Sequence, residues 1–208
     1  MIFTGGDTMK LIAHRGASLE RPENTLESLE FGSELGAYAV ECDVRMTSDR
    51  KYVIYHDDNL SRLGGDERKV ADVTYDEMNK LLAANGRHLM TLDELFTYKG
   101  KAYVLLHIKL RETDAVFFKR LADSPVKFIC GVGRPATALA AGEFFSSDRI
   151  LTFMPASPDR EGTIRTAKRF YDSGAGIIRL WENWLGFVTP EDIKTAIPGC
   201  EVWIMANR

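Results

Sequence analysis

The sequence has little of what marks a membrane protein, a nucleic-acid binder or a disulfide scaffold. No apolar run approaches the ~20 residues that span a bilayer. Lysine and arginine number 27 against 30 aspartates and glutamates, for a formal net charge of -3, and there is no long basic run. Nucleic acid is therefore not an expected partner. Cysteine is scarce: Cys42, Cys130 and Cys200 are odd in number, far apart, and each set in an apolar run. That pattern excludes a disulfide framework and predicts reduced, buried thiols in a cytoplasmic protein. The alternative use of such a thiol is as a Cys–His nucleophile. Met1 to Lys10 lack the charged-then-apolar layout of a signal peptide, and residues 1–9 read as an extension. Internal repeats, low-complexity stretches and linkers are also missing. The 208 residues therefore read as one domain with a real core.

What is present is organised around Leu11–Ala17, an apolar run that ends in His14, Arg15 and Gly16. It reads as a short buried strand that presents a proton-exchanging side chain and a fixed positive charge at one rim. Arginine's planar fork matches phosphate or carboxylate oxygens, although such a pair also occurs as plain surface. A helix follows, with Asn24 as its cap, Glu27 completing a capping box, and Leu26, Leu29 and Leu35 facing inward. Gly36 ends it.

Ala37–Val44 reads as a second strand, buried on both faces. Side chains two apart on a strand share a face, so Glu41 and Asp43 lie side by side with Cys42 opposite. Two buried carboxylates repel and need a cation, a shared proton or a basic side chain. An ion pair with a core arginine or lysine is one solution. A divalent cation such as Mg²⁺ or Ca²⁺ is the other. The turn Thr47–Lys51 is too short for a helical crossover, so Tyr52–Tyr55 folds back and delivers His56 to the same rim, with Asp57 to orient it.

Residues 61–90 are polar and glycine-containing, and read as a rim excursion with a helix capped by Thr74 and Glu77. Thr91 with Glu94 repeats that pattern. Lys101–Lys109 is a strong strand, with His107 and Lys109 on one face near its end. From Asp114 onward, helices and apolar strands alternate to Met205, and about seven strands are expected to be parallel. The apolar residues Leu180, Trp181, Trp184, Leu185 and Phe187 are candidates for a pocket lip or for packing under a helix.

These motifs resemble the glycerophosphodiester phosphodiesterase family. The matching residues are His14-Arg15-Gly16, Pro22-Glu23-Asn24-Thr25, Glu41-x-Asp43-Val44, Thr47-x-Asp49 and His56-Asp57, with Leu60 and Arg62 behind them. Thr91–Glu94, Lys109 and Trp203 match more weakly. The resemblance implies an α/β fold of the TIM-type (β/α)₈ barrel, here lacking its last strand and helix. A further segment or a partner chain, a second copy included, would close that gap. It also implies metal-dependent hydrolysis of a glycerophosphodiester to glycerol 3-phosphate and an alcohol. In that reading His14 and His56 are the acid and base, Arg15, Lys109 and Trp203 bind the substrate, and Glu41 and Asp43 bind the metal. The family's third metal ligand is a glutamate two residues before the lysine, where this chain has His107. The metal is thus Mg²⁺ or Ca²⁺ by resemblance, and Mn²⁺ or Zn²⁺ if imidazole joins the ligand set. Two alternatives stay open: a weak or inactive relative that binds phosphorylated polyols, and a phospholipase-type enzyme that forms a cyclic phosphate.

Overall fold

The structure, a computed structural model, describes residues 10–155, 157 and 159–206. The extension expected over residues 1–9 lies outside the described residues, as do Asn207 and Arg208. The chain divides into two compact units. One comprises Ala13–Arg111 and Ser124–Lys127; the other comprises the described parts of Met1–Ile12, Glu112–Asp123 and Phe128–Arg208.

The first unit begins at the second residue of β1 (Ile12–Ala13), which is shorter than the expected strand. The chain leaves it because Arg15 and Gly16 take left-handed conformations, with φ of 58° and 77°. The Gly16 N–H is then shared between Glu41 O at 3.1 Å and Ala13 O at 3.2 Å. A Cβ at residue 16 would lie 2.6 Å from the Ser28 carbonyl carbon and 2.7 Å from its oxygen. α1 (Leu26–Glu34) starts one residue later than its expected cap: Thr25 Oγ1 accepts the Ser28 N–H at 3.2 Å. Asn24 is instead left-handed at φ 58° and serves the neighbouring strand. Leu29 is buried, but Leu35 falls at the helix's C-terminal cap and is 66% exposed.

β2 (Ala39–Met46) is buried from Ala39 to Val44. β3 (Tyr52–Ile54) returns antiparallel to it with Val44 opposite Ile54, as the short polar turn requires. The rim excursion then holds β4 (Asn59–Leu60), α2 (Ser61–Gly64), β5 (Asp66–Lys69) and α3 (Tyr75–Ala84). It has its own buried apolar cluster, built from Val53, Tyr55, Leu60, Val70, Met78 and Leu82 among others. Thr74 and Glu77 complete a capping box at α3. Thr91 caps α4 (Leu92–Leu95), but the Glu94 carboxylate turns to His88 Nε2 at 2.7 Å, so that box is half formed. β6 (Tyr103–Ile108) runs parallel to β2 and sets His107 opposite Asp43.

The second unit alternates as expected. α5 (Ala115–Asp123) is followed by β7 (Phe128–Val132), α6 (Pro135–Ala141), β8 (Ile150–Thr152) and α7 (Arg160–Tyr171). Then come β9 (Ile177–Trp181), α8 (Pro190–Ala196) and β10 (Glu201–Met205). Each of these strands pairs in parallel with the next. Pro190 sits in the first turn of α8, behind a capping box of Thr189 and Asp192. Leu180 and Trp184 are buried rather than displayed as a lip. Arg179, 2% exposed, lies over the Trp181 ring at 4.1 Å and the Phe153 ring at 4.8 Å. Cys42 and Cys130 are buried thiols. Cys200 is not: it follows the Pro198–Gly199 turn and is half-buried. Among the described residues, no helix is long and apolar enough to cross a membrane.

Gly16 has no room for a side chain and a backbone that disfavours one. Gly16→Ala should destabilise the protein by about 2–5 kcal/mol, combining left-handed strain with overpacking. Urea unfolding reads this as a lower midpoint at unchanged slope. A loss under ~0.5 kcal/mol, the scale of a neutral surface change, would contradict it.

Candidate active site

β2 brings two carboxylates onto one face. Glu41 and Asp43 are 1% and 0% exposed. The parallel register puts His107 beside Asp43, with Nδ1 3.1 Å from Asp43 Oδ1. Lys109, two residues further on, places Nζ 2.8 Å from the same oxygen and donates to the His56 carbonyl at 2.8 Å. Asn24 grips Asp43 twice. Its Oδ1 accepts the Asp43 N–H at 3.2 Å and its Nδ2 donates to Asp43 Oδ2 at 3.4 Å. Asparagine tolerates the left-handed backbone that aims it there.

The turn after β1 serves Glu41. Left-handed Arg15 directs its own N–H to Glu41 Oε2 at 2.9 Å. His14 Nε2 lies 3.9 Å from that oxygen. The Arg15 guanidinium donates Nη1 to both Glu23 oxygens, at 3.2 and 3.3 Å. The rings of His14 and His56 meet edge-on, 6.5 Å between centroids. His56 is held twice. Arg45 donates to its carbonyl at 3.0 and 3.1 Å, and its Nδ1 meets Asp57 Oδ1 at 2.7 Å. An ionised carboxylate can only accept, so Nδ1 carries the proton and Nε2 stays available.

Burial, then the charge of Asp43, pushes the Glu41 pKa well up. Burial acts on Asp43 in the same sense, but the His107 hydrogen bond and the Lys109 charge outweigh it and hold that carboxyl low. Burial lowers the Lys109 pKa against the pull of Asp43. Burial also lowers His56, so its ring is neutral near pH 7 and can accept a proton. The Cys42 thiol is pushed up by burial and by its acidic neighbours, which leaves it protonated and inert.

Glu41, Asp43 and His107 each offer one ligand atom, and these atoms lie within 4.8 Å of one another. The donor set fits a divalent cation. Two buried carboxylates need positive charge, and burial leaves Glu41 poorly stabilised as an anion. One imidazole among oxygens favours Mn²⁺ or Zn²⁺ over Mg²⁺ or Ca²⁺.

The structure thus gathers His14, Arg15, Glu41, Asp43, His56, His107 and Lys109 within one unit. Trp203 lies elsewhere, on β10 of the other unit, 1% exposed. Two supporting roles were not foreseen from sequence: Asn24 as the clamp on Asp43, and Glu23 as the acceptor for Arg15. An Asn directly before a helix-capping Thr was the available signal, since it frees Asn24 from capping.

Several known proteins are similar to this chain. The model of the glycerophosphoryl diester phosphodiesterase family matches residues 14–135. A glycerophosphodiester phosphodiesterase of Caldanaerobacter subterraneus is 33% identical over 126 residues, covering 57% of this chain and 51% of that protein. The chain spans about half the length of such curated relatives. A crystal structure of a Thermotoga maritima glycerophosphodiester phosphodiesterase superposes with TM-score 0.71 at 20% identity, over 97% of this chain and 96% of that one. An Oleispira antarctica phosphodiesterase, solved with its product sn-glycerol-3-phosphate, gives 0.71 at 20% identity over 96% and 84%. These likenesses show the fold, the parallel α/β architecture expected from the alternation and the TIM-barrel type that the resemblance implies.

A carboxyl whose folded pKa is raised stabilises the fold below its unfolded value, 4.5 for glutamate, and that contribution is lost as pH rises through the folded value. Above it, ionised Glu41 opposes folding. In chelator at pH 8, Glu41→Gln should therefore raise Tm by about 2–4 °C, the equivalent of ~1 kcal/mol in a chain of this size. A lower Tm in thermal unfolding would show that the Glu41 charge is already compensated.

Proposed function

This chain belongs to the glycerophosphoryl diester phosphodiesterase family, and on that premise we propose that it hydrolyses glycerophosphodiesters to glycerol 3-phosphate and an alcohol with the help of a divalent cation. One observation carries the reading. His14, His107, Lys109 and the Arg15 N–H surround a buried carboxylate pair that itself calls for a cation, and the His56 ring meets that of His14 edge-on. That combination matches a substrate that is an anion and a reaction that moves two protons.

In this reading Arg15 binds the phosphodiester oxygens with its planar fork, and Lys109 meets charge that develops on them. Water attacks phosphorus and the bond to the alcohol oxygen breaks. One histidine takes the proton of the attacking water, and the other protonates the departing oxygen. Neutral His56, with Nδ1 held by Asp57 and Nε2 available, suits the base; His14 is then the acid. Glu41, Asp43 and His107 would hold the metal, which would supply neutralisation of phosphate charge and polarisation of the phosphoryl group. The three free thiols support a reducing, cytoplasmic setting.

The test is release of glycerol 3-phosphate from glycerophosphocholine and glycerophosphoethanolamine, after chelation and re-addition of Mg²⁺, Ca²⁺, Mn²⁺ or Zn²⁺ singly. Turnover should return with metal, and His14→Ala and His56→Ala should each lower kcat by about 10²–10⁴-fold. Mn²⁺ or Zn²⁺ should serve best, and His107→Glu should move that preference towards Mg²⁺. Phosphodiester binding without turnover under every ion would assign the chain to binding instead. A cyclic phosphate product would assign it to attack by a substrate hydroxyl.

A further inference from the structure

Arg15 and His56 come from different segments, yet their side chains are joined. Glu23 accepts from Arg15. The same carboxylate takes a two-pronged contact from Arg62, Nη1 to Oε2 at 2.9 Å and Nη2 to Oε1 at 2.6 Å. Arg62 Nε donates to Asp57 Oδ2 at 2.6 Å, and Asp57 Oδ1 holds His56 Nδ1. Five side chains thus alternate in charge type from Arg15 through Glu23, Arg62 and Asp57 to His56.

The structure assigns Arg62 the role of a positioning residue that fixes His56 through Asp57 and Arg15 through Glu23, so that the base and the phosphate clamp keep one spacing. This rests on the function proposed above and deepens it. Arg62 is 43% exposed in its side chain, whereas Glu23 and Asp57 are 15% and 23% exposed. It works from the outer side of the two carboxylates and acts through them. The segment that carries it is anchored, because Leu60 is fully buried in the excursion's apolar cluster and Leu63 packs against that cluster. Arginine is required by shape. Three donors in one plane serve two carboxylates at once, which a lysine's point charge cannot reproduce. Both carboxyls are held low despite burial. Arg62 acts on each, with Arg15 joining it at Glu23 and His56 at Asp57.

The consequence lies in His56. With one Asp57 oxygen fixed by Arg62, the other is aimed at Nδ1, and the ring is locked in the Nδ1–H tautomer with Nε2 bare. Without Arg62 the Asp57 carboxylate can rotate away, and the ring is free to carry its proton on either nitrogen.

The test uses the full chain loaded with the metal that best supports turnover. Arg62→Ala should lower kcat about 10–100-fold, the scale of a misplaced catalytic group, and raise KM for the glycerophosphodiester. Arg62→Lys should recover less than half of that kcat. Arg62→Ala combined with Asp57→Asn should cost no more kcat than Asp57→Asn alone, because the link to His56 is already broken, while KM rises further through loss of the Glu23–Arg15 link. Histidine ¹⁵N NMR near pH 7 should show His56 as Nδ1–H in the wild type and as a tautomer mixture in Arg62→Ala. An unchanged tautomer and kcat within twofold of wild type would overturn the assignment, as would kcat losses that multiply in the double variant. If the wild type itself turns over no glycerophosphodiester, the proposed function fails. The tautomer measurement then decides the positioning role alone, and an unchanged tautomer overturns it. If Arg62→Ala does not fold, Arg62→Gln carries the same measurements.

Discussion

Two carboxylates buried two residues apart on one strand form the constraint around which the first unit is built. Neither Glu41 nor Asp43 has water to turn to, and each raises the cost of ionising the other. The surrounding chain answers with separate devices. A left-handed Arg15 lends Glu41 a backbone N–H, a left-handed Asn24 brackets Asp43, and the β2–β6 register brings up His107 and Lys109. Each left-handed turn stores strain that the apolar packing of β2 must offset. Such strain is common where a protein assembles chemistry rather than mere stability. Asp43 meets Lys109 and His107, whereas Glu41 has a backbone N–H and a His14 ring 3.9 Å away, which leaves Glu41 the less compensated of the two.

Much of this could be read from sequence because it is periodic or local. The two-residue alternation placed Glu41 and Asp43 on one face. The short turn at Thr47–Lys51 foretold the antiparallel return of β3 and hence the delivery of His56. The Thr74–Glu77 capping pattern found α3 at its first residue. What escaped depended on positive φ and on partners distant in sequence. Arg15 and Asn24 are non-glycine residues in left-handed conformations, which no periodicity marks. Their cause lies across the fold, in the oxygens of Glu41 and the backbone of Asp43. Arg179 is buried against Trp181, two residues on in the same strand, and against Phe153, which follows the preceding strand β8 and is not a sequence neighbour.

The second unit follows the rules for parallel strands with few departures, alternating helix and strand as its sequence suggests. Its regularity and the first unit's irregularity have one explanation. Local rules hold where nothing but packing is asked of the chain, and they give way where polar groups must be buried in a set arrangement.

The apolar cluster under the rim excursion has a kinetic meaning as well. Val70, Met78 and Leu82 share one buried cluster with Val53 of β3 and with Tyr55, the residue next to His56. A segment with its own core and its own capped helix is the kind of unit that opens cooperatively while the strands beside it stay closed. Opening of α3 alone would leave His56 in place, because Arg45 and Lys109 donate to its carbonyl and β3 stays paired with β2. Amide protons of α3 would on that route exchange faster than those of β2.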